Sequence, residues 1–358
     1  MRQAMPAPPA GAAAAPGGLA TLSPASFGLV MATGIVAIAA QRFALGRIAQ
    51  ALFALNLGAY ALLWLLTLAR ALRHPRHFSS DLLDHQRAPG FFTTVAASGV
   101  LGAQCLLQGG SVRGAGALWL LTLALWAALT YAIFLGLTVK ADKPTLDKGI
   151  NGGWLLAVVA TQAVVVLGTL LTPHAAPSLQ RPLLFLLLAL WCWGGMLYIW
   201  MMALIFYRYA FFRLAPHELT PPYWINMGAM AISTLAGSLL VAAAPQQALL
   251  QPLQPFIAGL TIMFWATGSW WIPLLLLLGV WRYLLQRFPL RYDPMYWAVV
   301  FPLGMYATAT DEMAQVLRLD FLHPLPLLFL ALALGAWCVV FVAMLRALWR
   351  GRRQVAAR

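Results

Sequence analysis

Ten long apolar stretches dominate this chain of 358 residues, and the short gaps between them hold most of its charge. They run roughly over 24–42, 47–71, 88–108, 114–139, 150–172, 180–207, 221–244, 255–286, 294–317 and 324–349. A bilayer span needs about 20 mostly apolar residues, so each stretch is long enough to cross. Hydrophobic residues make up 62% of the chain and charged residues only 9%, against about 25% charged in a soluble domain. A single water-soluble globule, a disordered chain and a coiled-coil rod are excluded. The apolar runs are continuous rather than alternating, which calls for helices and not a barrel. The expected fold is an all-α integral membrane protein with ten transmembrane helices.

The charge is uneven as well as sparse. Lys and Arg total 23 against 9 Asp and Glu, a formal charge of +14. Eighteen of the basic residues lie in the tails and in the gaps after the even-numbered stretches, among them Arg70, Lys140, Arg208 and Arg282. The opposite gaps hold only Arg42, Arg47, Arg113, Arg181 and Arg318. The positive-inside rule then puts both termini in the cytoplasm. It also accounts for the basic balance without nucleic acid, because no basic segment of folding size stands outside the apolar stretches. Residues 1–23 read as a flexible cytoplasmic tail without the compact core of a cleaved leader. Residues 24–349 form the membrane domain, and 350–358 a short basic tail.

The odd-numbered stretches open alike: Pro24-Ala-Ser-Phe27, Pro89-Gly-Phe-Phe92, Pro221-Pro-Tyr-Trp224 and Pro294-Met-Tyr-Trp297. The fifth opens with Asn151-Gly-Gly-Trp154, which keeps the aromatic and lacks the proline. The aromatics are 65, 62, 70 and 73 residues apart. The chain therefore reads as five helical hairpins in parallel repeat, all starting on the same side. Proline suits the first turn of a helix and an aromatic suits the headgroup level, so helix initiation alone would explain any single copy.

Seven residues after these anchors stand Gly34, Gly99, Thr161, Ala231 and Gly304, all small; four residues after them stand Met31, Ala96, Val158, Gly228 and Phe301. Positions 0, 4 and 7 share a helix face. Hydroxyls and amides also favour the odd stretches. These helices are expected as an inner ring, with the Leu-, Ala- and Trp-rich even helices outside. Small faces turned to the axis would line a lumen. Turned sideways, they would be close-packing sites. Both readings stand on sequence alone. The candidates for lining a pore are the anchors Phe27, Phe92, Trp154, Trp224 and Trp297, the residues at positions 4 and 7, and Thr33, Ser98, Ser233, Met305 and Thr308.

Ionisable residues inside a membrane mark proton relays and coupled transport, and these stretches hold almost none. The six histidines fall in gaps or at stretch ends, and no Cys, His, Asp or Glu cluster has ligand spacing. Cys105, Cys192 and Cys338 lie singly in apolar runs. No nucleophile has a base at hand. No metal, cofactor or enzymatic activity is expected. Asp311 and Glu312 are the exception. Ten residues beyond Phe301, about 15 Å along a helix, they belong near the outer mouth, as a polar helix end paired with an arginine or as coupling carboxylates. Pro302 lacks a backbone donor and should kink the ninth helix, with Phe301 just ahead of it.

The segments PASFGLVMATGIVAI, KPTLDKGINGGWLLAVVATQ, LTPPYWINMGAMAISTLAG and RYDPMYWAVVFPLGMYATAT resemble the tellurite-resistance/C4-dicarboxylate transporter family. That family shares its fold with the slow-type anion channels of plants. The resemblance covers about residues 24–349. It implies five hairpins around a central pore, commonly in homotrimers, in a bacterial-type plasma (inner) membrane. It implies a phenylalanine plug on the ninth helix, where Tyr296, Trp297, Phe301 and Pro302 match the pattern, so Phe301 takes the gate role. It implies small anions as substrates: C4-dicarboxylates, sulfite, halide, nitrate or tellurite. Two departures are that only the ninth inner helix has a mid-helix proline, and that the long tails of the plant channels are absent. The reading is a channel-like or weakly coupled anion permease. Its rivals are a proton-coupled dicarboxylate or sulfite/tellurite efflux transporter using Asp311 or Glu312, and, remotely, a membrane enzyme or scaffold.

Overall fold

The computed structural model describes residues 18–290 and 292–356, with side chains through residue 350. The expected N-terminal tail as far as residue 17, Arg291, and the side chains of the C-terminal tail beyond Arg350 lie outside the described residues.

Ten long helices follow in order: α1 (Gly28–Arg42), α2 (Gly46–Arg73), α3 (Phe92–Leu107), α4 (Val112–Val139), α5 (Leu156–Leu171), α6 (Pro177–Phe211), α7 (Ile225–Ala243), α8 (Gln254–Val280), α9 (Trp297–Leu317) and α10 (Pro324–Ala356). Short helices Pro75–Leu82 and Leu146–Gly149 ride in the basic loops. Among the described residues no strand is present, and nine helices are long and apolar enough to cross a membrane. The protein is therefore an all-α, multi-pass membrane protein. The long helix outside those nine is α9, which carries Asp311 and Glu312.

The odd helices pack side by side in a closed ring: α1 on α3, α3 on α5, α5 on α7, α7 on α9, and α9 back on α1. Each even helix lies outside, against its own odd partner and the next odd helix in the ring, with α10 reaching α1. Burial follows this order. The apolar windows of α1, α3, α5 and α7 are 72–94% buried, and those of the even helices only 17–44%. The exposed leucines, such as Leu65, Leu72, Leu277 and Leu284, lie on or at the ends of even helices.

Each odd helix opens with a 3-10 turn: Pro24–Phe27, Ala88–Phe91, Gly152–Leu155, Pro221–Trp224 and Pro294–Tyr296. Prolines suit these turns because the first helical N–H groups have no intrahelical acceptor. Ser23, Asn151 and Asp293 cap three of them, each accepting a backbone N–H two residues on. The five turns touch one another in a second closed ring on the basic face. The fifth turn has Asn151 where the others have proline, and the residue after it is fixed by sterics. A Cβ on Gly152 would lie 2.4 Å from the Pro222 carbonyl oxygen and 2.6 Å from the Tyr223 Cα, so only glycine fits against the next turn.

Basic side chains fasten this face. At the ends of four outer helices one cation reaches back to a carbonyl just ahead of its own hairpin's inner helix. Arg70 Nε donates to Ala20 at 3.1 Å, Lys140 Nζ to Leu83 at 2.9 Å, Arg208 Nε to Asp147 at 2.7 Å, and Arg282 Nη1 to Leu219. Ala20 is buried, and the turn Gly18–Thr21 within the expected tail lies against α2.

Candidate functional site

Two cavities lie along the axis of the inner ring. The one on the basic side measures about 30 Å³ and is walled by the starts of all five inner helices, with Met31 and Phe301 at its upper end. The other, about 210 Å³, lies beyond it, and its walls again come from all five helices.

The linings follow one register. Counted from the anchor aromatics, the basic-side cavity takes position 1 (Gly28, Thr93, Ile225 and Ala298) and position 4 (Met31 and Phe301). The outer cavity takes position 8 (Ile35, Val100, Ile232 and Met305), position 11 (Ile38, Ala103, Leu235 and Thr308) and position 15 (Arg42, Leu107, Leu239 and Glu312). On α5 the register slips by one, giving Leu156, Ala163, Val166 and Leu170. Positions 1, 4, 8, 11 and 15 form one stripe of a helix, the inward seam of a bundle. One turn, about 5.4 Å, separates Phe301 from Met305. Both are buried, at 2% and 1% exposure.

Of the sequence candidates, the structure brings Met31, Gly99, Trp297, Phe301, Met305 and Thr308 to these cavities. Small residues at position 7 mostly look sideways. A Cβ on Gly34 would meet Val100 Cγ1 at 2.5 Å, one on Gly99 would meet the Ala163 Cβ at 3.0 Å, and one on Gly304 the Ile35 Cγ2 at 3.1 Å. Gly228 makes room for a proline: its Cβ would lie 2.7 Å from Pro302 Cγ. These are close-packing sites between neighbouring helices, and only Gly99 also borders the lumen. Helix α9 runs unbroken through Pro302. Ala96, Val158 and Ala231 are buried within the ring.

The remaining anchors turn outward. Phe27 stacks edge-on against Tyr60 and Trp64 of α2, Phe92 packs near Phe134 of α4, and Trp154 donates its indole N–H to the Gly149 carbonyl at 3.0 Å. Trp224 borders a lateral groove instead of the axis.

The hydroxyls also turn outward, and in a pattern. Each outer helix holds the next inner helix by a hydrogen bond. Tyr60 of α2 pairs with Ser98 at 2.7 Å, Trp126 of α4 donates to Thr161 at 2.9 Å, and Trp191 of α6 donates to the Ser233 carbonyl at 2.9 Å. Trp265 of α8 donates to Thr310 at 3.0 Å, and Trp337 of α10 donates to Thr33 at 3.0 Å, which closes the circle. Ser98, Thr161 and Ser233 also donate to carbonyls one turn back. The hydroxyls facing the axial cavities are those of Thr93 and Thr308, which donate to the Gly90 and Gly304 carbonyls.

The end of the axis away from the basic face carries a charged cluster. Arg42 Nε and Nη2 reach Asp311 Oδ2, each at 2.7 Å, and Nη1 reaches Glu312 Oε2 at 2.6 Å. Gln315 donates to Asp311 at 2.8 Å. Asp311 is 7% and Glu312 14% exposed, so the paired-arginine reading describes what the structure holds. Among the described residues, the cavity walls between this cluster and the basic face carry no ionisable side chain.

Sequence reasoning named Met305, Thr308 and Glu312 of this stripe but missed its aliphatic members at positions 8, 11 and 15, although it used the same anchors. Position 7 drew attention through its small side chains, but one residue turns a helix by about 100°, which separates a flank from a lumen.

The comparisons agree with this architecture. The family model described as voltage-dependent anion channel, SLAC1, matches residues 21–345. A sulfite efflux pump of Trichophyton rubrum is 26% identical over 353 residues, 90% of each chain. An uncharacterized transporter of Methanocaldococcus jannaschii is 24% identical over 331 residues, 91% of this chain and 94% of its own. An uncharacterized membrane protein of Mycobacterium tuberculosis is 39% identical over 151 residues, 42% of this chain and 75% of its own. With a match that spans both axial cavities and runs from before the first helix into the tenth, this chain belongs to the voltage-dependent anion channel family, whose members move anions across membranes.

Proposed function

We propose that the axis of the inner ring is an anion path, that Phe301 is its gate, and that the ions carried are small, singly charged inorganic anions. All ten helices then span the bilayer as five repeated hairpins, with the basic face and both termini cytoplasmic in a bacterial-type plasma membrane. The protein acts as a channel or passive permease rather than an enzyme, with one path per protomer of a homotrimer. The observation that carries the reading is the position of Phe301, a bulky side chain on the axial stripe between two cavities that all five inner helices wall.

The electrostatics support anions. Five helix N-termini converge on the basic face, and each contributes partial positive charge there. The Arg and Lys residues around them raise the local anion concentration. The walls from Phe301 as far as the Arg42 cluster are nearly all aliphatic, so over that stretch an ion must shed water without a fixed counter-charge. That cost rises steeply with charge, which favours chloride, nitrate or bisulfite over a doubly charged C4-dicarboxylate. The similarity to a sulfite efflux pump over nine-tenths of both chains supports the inorganic choice. Asp311 and Glu312 are held by Arg42, which leaves them a structural role instead of proton coupling.

The test is anion flux in reconstituted vesicles. Phe301→Ala should raise chloride and nitrate flux at least about tenfold, the factor that about 1.4 kcal/mol of barrier represents. An unchanged flux in a variant that is folded by its melting curve would remove Phe301 from the gate.

A further inference from the structure

We infer that the lateral groove between α8 and the starts of α7 and α9 binds one anionic phospholipid from the leaflet on the basic face. The groove holds about 430 Å³, and its walls are mostly aliphatic and aromatic, leucines and tyrosines among them, with Arg282 at one end. Arg282 is 7% exposed, and its Nε is a buried donor without a partner. Nη1 is used by the Leu219 carbonyl and the Tyr283 hydroxyl, and the rings of Tyr283 and Phe288 lie 5.0 and 4.4 Å from the guanidinium. The two other buried arginines of this face each have a carboxylate, Arg70 with Asp81 and Arg208 with Glu218. Among the described residues Arg282 has none. A buried cation of this kind calls for an anion from outside the chain.

The shape of the groove selects the occupant. Arg282 sits in a π-helical turn, Trp281–Leu285, a geometry frequent at functional positions. Leu275 lies seven residues before it, about 10 Å deeper toward the middle of the span. A phosphate at Arg282 and an acyl chain along Leu275 and Leu276 would fill both ends, as a lipid standing in its own leaflet does. A free phosphate would leave the apolar length empty. Gly279 lines the groove with open space where its Cβ would stand, so a large side chain there would fill it without disturbing a neighbour.

The full chain is purified in detergent and titrated with phosphatidylglycerol and with phosphatidylethanolamine of the same acyl chains, read by native mass spectrometry. One phosphatidylglycerol per chain should bind, with phosphatidylethanolamine weaker by on the order of tenfold, because its ammonium group offsets the phosphate charge that both lipids present to Arg282. Arg282→Gln should abolish that preference. Because Arg282 also holds Leu219, a second variant, Gly279→Trp, tests the groove alone and should lose both lipids. Equal binding of the two lipids by the unaltered chain would overturn the inference, as would unchanged binding by Gly279→Trp. Displacement of phosphatidylglycerol by inorganic phosphate would make this an ion site. Binding seen only after subunits separate would mean that a second copy of the chain covers the groove.

Discussion

Replacing Arg42 by methionine tests how the outer mouth is held. The substitution keeps most of the aliphatic stem and removes the guanidinium that contacts Asp311 and Glu312. Two carboxylates, one 7% and one 14% exposed, then lose their cation. Breaking one side of a buried ion pair costs about 3–5 kcal/mol, because the remaining charge stays out of water. Arg42 itself is 25% exposed, so solvent already screens part of the attraction, and a loss of about 2–3 kcal/mol is the reasoned figure. At about 2–4 °C per kcal/mol, the melting temperature should fall by about 4–12 °C. Tryptophan fluorescence in a single detergent at fixed protein concentration follows the transition, with 15 tryptophans as probes. The decisive arm is the triple variant Arg42→Met, Asp311→Asn, Glu312→Gln. It removes the stranded charge along with the partner and should recover most of the loss. Asp311→Asn with Glu312→Gln alone should cost less than Arg42→Met, because a part-exposed arginine can swing to water. A triple variant as unstable as Arg42→Met, or an Arg42→Met that melts with the unaltered protein, would refute the argument.

Three further outcomes follow from the geometry. Gly152→Ala places a methyl against the Pro222 carbonyl and should cost about 1–3 kcal/mol, visible as a lower melting temperature; an unchanged transition would mean that the turns are not in contact. Trp337→Phe removes the hydrogen bond from α10 to Thr33 and should cost about 0.6 kcal/mol, near the average for interhelical bonds in membranes; a melting temperature lowered by tens of degrees would show that the bond does far more than close the ring. Anion uptake should be the same with and without a pH gradient, in the unaltered protein and in Asp311→Asn, and a gradient-dependent rate would restore proton coupling.

Much of the architecture could be read before any coordinates. The apolar runs set the helices to within a few residues, because a bilayer imposes a minimum length and the charged gaps mark the ends. The inner and outer rings followed from composition: α5 carries Thr161 and Gln162 inside the bundle, while α2 turns Leu65 and Leu72 outward. The site was only half legible. Met31 and Phe301 at position 4 lie on the axis, but Thr33 and Ser98 do not. A hydroxyl in an inner helix can serve the lumen or its outer neighbour, and sequence spacing does not separate faces one residue apart. The tryptophans of α4, α6, α8 and α10 decide the matter, since each brings an indole N–H that needs an acceptor. The basic clamps were hidden for another reason. Arg208 and Arg282 read as orientation signals, and nothing in their spacing tells that they fold back on Asp147 and Leu219.

The bond from Trp337 to Thr33 joins residues 304 positions apart, and Arg42 reaches Asp311 across 269. The first helix therefore waits for about 270 to 300 further residues to be synthesised before these neighbours arrive. A nascent chain released early has an arc of helices where the finished one has a circle, and an arc encloses no conduit. The axial cavities take walls from all five inner helices, so their enclosure is complete only when α9 and α10 have joined the others.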